Sequence, residues 1–163
     1  MKGGVKVQNS LFNVVSESTT TNDYYTPKWL FDEMGLVFDI DVAAPLQGIP
    51  WLPAKRWFSQ ADDGLAQEWG GELVWMNPPF SNATPWVRKF MDNANGIALV
   101  PVSRSKWFAE IWECADGILT TPPDFKFERP DGKSQTISFQ TFLFALGEQS
   151  VAALERTKLG RVR

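Results

Sequence analysis

Histidine is missing altogether from the 163 residues, and cysteine occurs once, as Cys114. Without histidine there is no Ser/His or Cys/His nucleophile pair, and zinc loses its commonest nitrogen ligand, so no metal site is expected. A lone cysteine cannot form an internal disulfide, which points to a reducing compartment and an expected cytoplasmic location. No apolar run is long enough to span a bilayer and no charged-then-apolar leader is seen, so no membrane role is expected. Positive charge is short as well. The formal net charge is −3, so the chain is no polycation, and any nucleic acid would have to meet a local basic patch. Candidates are Lys55-Arg56, Arg88-Lys89, Arg104 with Lys106, the segment 126–133 and the tail 156–163. Each is equally readable as a solvated face.

Flat rings, by contrast, are abundant: eight tryptophans and twelve phenylalanines. Some must be core, and the surplus suits stacking surfaces. The length fits one domain and the 44% hydrophobic content is ordinary for a globular one. Residues 1–22 are polar and read as a loose arm, leaving 23–163 as the domain.

Thr26-Pro27 reads as an N-cap followed by proline in the first helical position, with Trp29, Leu30 and Met34 as an apolar stripe and Gly35 as the stop. Residues 37–42 (VFDIDV) alternate apolar and acidic side chains, a strand pattern. Residues 44–72 lack a clear period and read mostly as loop, with room for a short strand or helix. Segments 73–76, 97–102 and 117–120 read as further strands, with helices after Thr84-Pro85 (ending near Gly96) and after Ser105. A late antiparallel hairpin is expected between 125–128 and 138–146, turning at Pro130-Asp131-Gly132, with a short helix from Ser150. Alternating strands and helices predict an α/β domain on a mixed, mainly parallel sheet. Ligands of such sheets bind beyond the carboxyl ends of the strands, where Asp41, Asn77 and Ser103-Arg104 fall.

The segment Val74-Trp75-Met76-Asn77-Pro78-Pro79-Phe80 ends an apolar strand in an amide, two rigid rings and an aromatic. Asn offers a carbonyl acceptor, and proline a carbonyl without an N–H. With two prolines fixing the local backbone, an Asn side chain and a proline carbonyl can be held as two preset acceptors, which is what an exocyclic amine needs. Phe80 supplies a face for a flat base, worth about 1–3 kcal/mol by analogy with base–aromatic stacking. The plainer reading is a strand ending in a Pro-Pro turn capped by Asn. Asp39 and Asp41 flank Ile40 and share one side of a strand, positioned for a bound ammonium or sugar hydroxyl, or simply lying on an exposed face. Asp62-Asp63-Gly64-Leu65 is either a carboxylate site for an adenine amino group or a surface turn.

The ordered set Tyr24-Tyr25-Thr26-Pro27, Phe38-Asp39-Ile40-Asp41, Trp57-Phe58, Asp62-Asp63-Gly64-Leu65, Trp69 and Val74–Phe80 resembles phage-type DNA N6-adenine methyltransferases. So do Leu99-Val100-Pro101, Trp107-Phe108 and Pro130-Asp131-Gly132, so that the likeness covers roughly residues 23–147. The resemblance implies a Rossmann-like fold that takes a methyl group from S-adenosylmethionine (AdoMet) to the N6 of a flipped adenine in duplex DNA. It implies that Asn77, Pro78, Pro79 and Phe80 form the catalytic NPP[YF] motif. It implies cofactor contacts from Tyr25, Thr26 and Pro27, from Asp39 and Asp41 with Ala43, and from Asp62 and Asp63. It further implies the cytoplasm of a phage-infected or prophage-bearing bacterium, as in restriction-modification settings, and a monomer or homodimer. Two departures stand out: Asp41-Val42-Ala43-Ala44-Pro45 has no G-x-G loop, and Phe80 replaces the commoner Tyr. Related NPP[YF] enzymes that act on RNA or on a protein glutamine, and a non-catalytic nucleic-acid-binding relative, remain alternatives at this point.

Overall fold

A computed structural model describes residues 24–163. The arm expected at 1–22 lies outside the described residues. Two strands and a helix match the sequence pattern closely. Helix α1 (Lys28–Met34) stops at Gly35, whose φ of 56° lets its N–H reach the Phe31 carbonyl. Strand β1 (Phe38–Ala44) takes the alternating stretch, and β3 (Val74–Met76) is buried throughout. At the start of α1 the expectation needs correcting. Pro27, not Thr26, occupies the cap position, and no side chain caps the helix; the Thr26 hydroxyl is turned toward Asn77 instead.

Strand β2 (Ala54–Ser59) lies within the stretch expected to be mostly loop. It shows no alternation because it is an edge strand that exposes Lys55, Arg56 and Trp57 in succession. Helix α2 (Ala83–Asn93) closes on Ala94 in the left-handed region, not at Gly96. Gly96 instead opens β4 (Gly96–Pro101), where a Cβ would stand 2.2 Å from the Val74 carbonyl oxygen. Helix α3 (Lys106–Cys114) and strand β5 (Gly117–Thr120) fall where expected.

The expected pairing of 125–128 with 138–146 is not what forms: β6 (Phe127–Glu128) pairs instead with β7 (Ser134–Gln135), as a separate two-stranded antiparallel unit. Strand β8 (Thr141–Leu146) leaves it and enters the main sheet, antiparallel to both β4 and β5. Five of its six residues are buried, so it needs cover on both faces, which a small surface hairpin cannot provide. The main sheet runs β2-β1-β3-β4-β8-β5, with β2, β1, β3 and β4 mutually parallel.

Helices cover both faces. Leu30 and Phe31 of α1 and Leu154 of α4 (Glu148–Arg156) pack with Trp75 and Leu99 on one side. Val87 and Phe90 of α2 and Ile111 of α3 pack with Ile40, Val42 and Met76 on the other. The parallel strands deliver the chain to one edge at Ala44, Ser59, Met76 and Pro101. The loop after β2 is drawn against the end of β1 at Gly64, where a Cβ would lie 2.1 Å from the Val42 carbonyl oxygen and 3.2 Å from the Trp86 ring. Lys89 holds the same loop by donating to the Leu65 and Gln67 carbonyls, and Trp69 donates to the Gly64 carbonyl at 2.9 Å.

Gly64→Ala is expected to cost about 1–3 kcal/mol through this overlap with backbone. Chemical denaturation checks it; unchanged stability would mean that the loop is free to lift from β1.

Candidate active site

Asn77 is the first residue beyond the fully buried β3 and is itself half-buried. Its Nδ2 donates to the Tyr24 carbonyl at 2.8 Å and to the Thr26 hydroxyl at 3.4 Å. A carbonyl only accepts, so the amide nitrogen has to face Tyr24 and Oδ1 is turned the other way. Among the described residues nothing donates to Asn77 Oδ1 or to the Pro78 carbonyl. The Pro79 carbonyl is already engaged, accepting from the Asn82 N–H at 3.0 Å across a 3₁₀ turn, Phe80–Asn82. The two acceptors left without a donor at the end of β3 are therefore the Asn77 side-chain oxygen and the carbonyl of Pro78, itself a buried residue.

Phe80 is less open than a free stacking platform. Tyr24 lies nearly parallel to it with centroids 6.4 Å apart, and Phe127 and Phe139 meet it edge-on at 6.2 and 5.9 Å. Phe139 remains 42% exposed, so the ring cluster faces solvent on that side. Tyr25 forms an antiparallel bridge with Glu128 of β6, its N–H and carbonyl both at 2.8 Å, which brings the hairpin to the site. Pro27 is buried at the head of α1.

The acids separate clearly. Asp41 is 3% exposed, and burial pushes its carboxyl up to about 7. Among the described residues its one hydrogen-bond donor is the Ala43 N–H, at 3.3 Å. Asp41 is in register with Trp75, so it shares the α1 face of the sheet with Trp75 and with Asn77 two residues further on. That offset is about 6–7 Å along the strands. Asp41 also lines a cleft of about 210 Å³ with Gly48, Ile49, Leu52 and Trp57. Asp39, on the same strand, lies toward the amino end. Its Oδ1 is paired with Lys55 at 2.6 Å and its Oδ2 accepts from the Leu73 N–H at 3.0 Å, contacts that hold the carboxyl below its usual range. Asp62 Oδ2 accepts from the Ser59 hydroxyl and N–H at 2.7 and 2.8 Å, closing the turn after β2. Asp63 is exposed, with φ 51°, in the loop that Gly64 pins against β1.

The fold thus brings Asn77, Phe80, Thr26 and Asp41 to one edge of the sheet, with Pro78 directly after Asn77. Asp39 and Asp62 are placed in structural contacts. Tyr24 is the residue that single-residue reasoning missed as a site member: its ring is visible in the sequence, but its carbonyl, which orients Asn77, is not. Trp51 was missed too; its Nε1 donates to the Thr26 carbonyl at 2.9 Å.

Several basic candidates are paired: Lys55 with Asp39, Arg56 with Glu72 and Lys106 with Glu110. Arg156 donates to the Met34 carbonyl. Arg104, just beyond β4, and Lys126 and Lys133, on the hairpin, have no ion-pair or side-chain hydrogen-bond partner among the described residues.

A mainly parallel, helix-covered sheet with an amide-proline lip and a buried acid along its carboxyl edge defines an α/β protein with a candidate site at that edge. The sequence profile of the DNA N-6-adenine-methyltransferase (Dam) family matches residues 16–138, and the chain belongs to that family. The DNA N-6-adenine-methyltransferase of Haemophilus phage HP1 (strain HP1c1) is 30% identical over 93 residues, covering 51% of this chain and 52% of that protein. The chain thus spans about half the length of the curated relative it matches. No solved structure matches it.

Because Asp41 holds its proton up to about pH 7, against 3.8 for an ordinary aspartate, the folded state binds a proton that the unfolded chain has lost. Stability from this group therefore falls as pH rises from 3.8 toward 7 and is level above that. Asp41→Asn should remove that decline: the variant melts higher than the parent at pH 8, and the gap closes near pH 4. Parallel melting curves for the two proteins would refute it.

Proposed function

We propose that the protein transfers a methyl group from AdoMet to the N6 of an adenine flipped out of DNA. The observation that carries this reading is the Asn77 amide, held nitrogen-inward by the Tyr24 carbonyl so that its oxygen is turned away from that contact. The fold is read as a single Rossmann-like methyltransferase domain, with the antiparallel β8 inserted between β4 and β5, working in the cytoplasm of a phage-infected or prophage-bearing cell. Among the described residues no helix is long and apolar enough to cross a membrane.

The residues at the carboxyl edge fit the cofactor. Asp41 is a buried carboxyl with, among the described residues, one weak donor, in a cleft whose walls include Ile49, Leu52 and Trp57. That chemistry suits an amino-acid ammonium set beside an apolar or flat moiety. Asp41 would take the ammonium, Ala43 allows close approach, and the Asp63 loop stands next to the cleft strand for the adenosine. When bound, AdoMet supplies an electrophilic methyl on a sulfonium.

The rest is the chain's own work. An adenine amino lone pair is delocalised into the ring and is a weak nucleophile. Asn77 Oδ1 and the Pro78 carbonyl each accept one N–H of that amine, drawing the nitrogen toward tetrahedral geometry and localising its lone pair. The N–C bond forms as the S–C bond breaks, and the surplus proton then leaves to solvent, so no histidine base is needed. Catalysis is alignment and electrostatics. Phe80 and its ring neighbours receive the flipped base, whose extrusion costs a few kcal/mol. Arg104, in the loop beyond β4, and Lys126 and Lys133, beside the two strands of the hairpin, would meet DNA phosphates.

Asn77→Ala should lower adenine methylation by at least about a hundredfold, as loss of a transition-state acceptor does, while AdoMet still raises the melting temperature. Methylated adenine, read by mass spectrometry, checks it; near-normal turnover by the variant would overturn the assignment. AdoMet should also bind more tightly at pH 8 than at pH 6, because Asp41 ionises between them and attracts the ammonium. Absence of any AdoMet-induced shift at millimolar concentration would favour a non-catalytic nucleic-acid-binding protein.

A further inference from the structure

Thr26 is completely buried, at 0% exposure, which is unusual for a hydroxyl residue and removes it from direct contact with any ligand. It does not line the cleft that holds Asp41. Its hydroxyl lies 3.4 Å from Asn77 Nδ2, and its carbonyl accepts from Trp51 Nε1 at 2.9 Å. Trp51 sits between Pro50 and Leu52, which both line that cleft. Thr26 thus stands between the cleft loop and the acceptor amide.

An asparagine carboxamide turns about a soft, nearly two-fold torsion. Exchanging its ends would set Oδ1 against the Tyr24 carbonyl and present N–H groups to an incoming amine. The Tyr24 carbonyl accepts from the amide nitrogen at 2.8 Å, and the Thr26 hydroxyl, 3.4 Å from the same nitrogen, is the acceptor within reach of its second N–H. With both engaged, rotation has to break two contacts in a partly buried site.

We propose that Thr26 is a positioning residue for Asn77, acting through the amide's second N–H, and not a cofactor contact. The proposal rests on the reading of Asn77 as the amine acceptor. Thr26→Val keeps the shape and removes the hydroxyl, whereas Thr26→Ser keeps the hydroxyl. The Val variant should lower kcat about three- to tenfold, the size of one lost hydrogen bond. The KM and Kd for AdoMet should stay unchanged, and the Ser variant should recover most of the rate. An unaltered kcat, or a weakened AdoMet affinity at constant kcat, would overturn the proposal.

A measurement on the wild-type protein decides the matter even if the Val variant does not fold. In 15N-labelled protein both Asn77 side-chain amide protons should exchange slowly with water; one protected and one fast proton would exclude the Thr26 contact. If the wild-type protein methylates no adenine at all, the proposed function fails, and the exchange result still reports on Thr26.

Discussion

A backbone carbonyl accepts hydrogen bonds and cannot give one, and the Tyr24 carbonyl faces the Asn77 amide at 2.8 Å. That single constraint fixes which end of the amide points inward. It makes a side chain that could present either a donor or an acceptor into one that presents an acceptor. The remaining architecture keeps the two partners in place. Strand β3 is buried on both faces and delivers Asn77 to a fixed height. The stretch before α1 is tied to the hairpin through Tyr25 and Glu128, and to the cleft loop through Thr26 and Trp51. Pro78 and Pro79 stiffen the backbone immediately after Asn77.

The acids illustrate how environment assigns roles to identical side chains. Asp39 and Asp41 stand two residues apart on one strand. Asp39 meets Lys55 and a backbone N–H and is held ionised. Asp41 meets one distant N–H and is pushed toward neutrality. A carboxyl that is buried without a charge partner is a poor structural element and a natural place for a cation to arrive. Asp39, by contrast, already has what an ionised carboxylate needs.

The parts of the fold that the sequence made legible were those with a strong local signal. The alternation at 37–42, Gly35 as helix stop and the apolar run before Asn77 all correspond to observed elements. β2 was not legible because its exposed Lys55-Arg56-Trp57 face has no period; an edge strand need not alternate. The destination of β8 was not legible because hairpin proximity and insertion between distant strands look alike along the chain, and only burial on both faces tells them apart. Asn77 and Pro78 were recognisable by residue type. The Tyr24 carbonyl was not, because a backbone group leaves no mark on residue identity. The ring cluster around Phe80 joins residues from three separate segments and was equally hidden.

The most direct test is a crystal structure of the protein with a non-reactive AdoMet analogue and an adenine-containing duplex. The account predicts the flipped adenine's amino group within hydrogen-bond distance of Asn77 Oδ1 and the Pro78 carbonyl, with Asn77 Nδ2 still on Tyr24. An adenine left stacked in its helix in that complex, or an amino group lying against the Asn77 nitrogen, would contradict it.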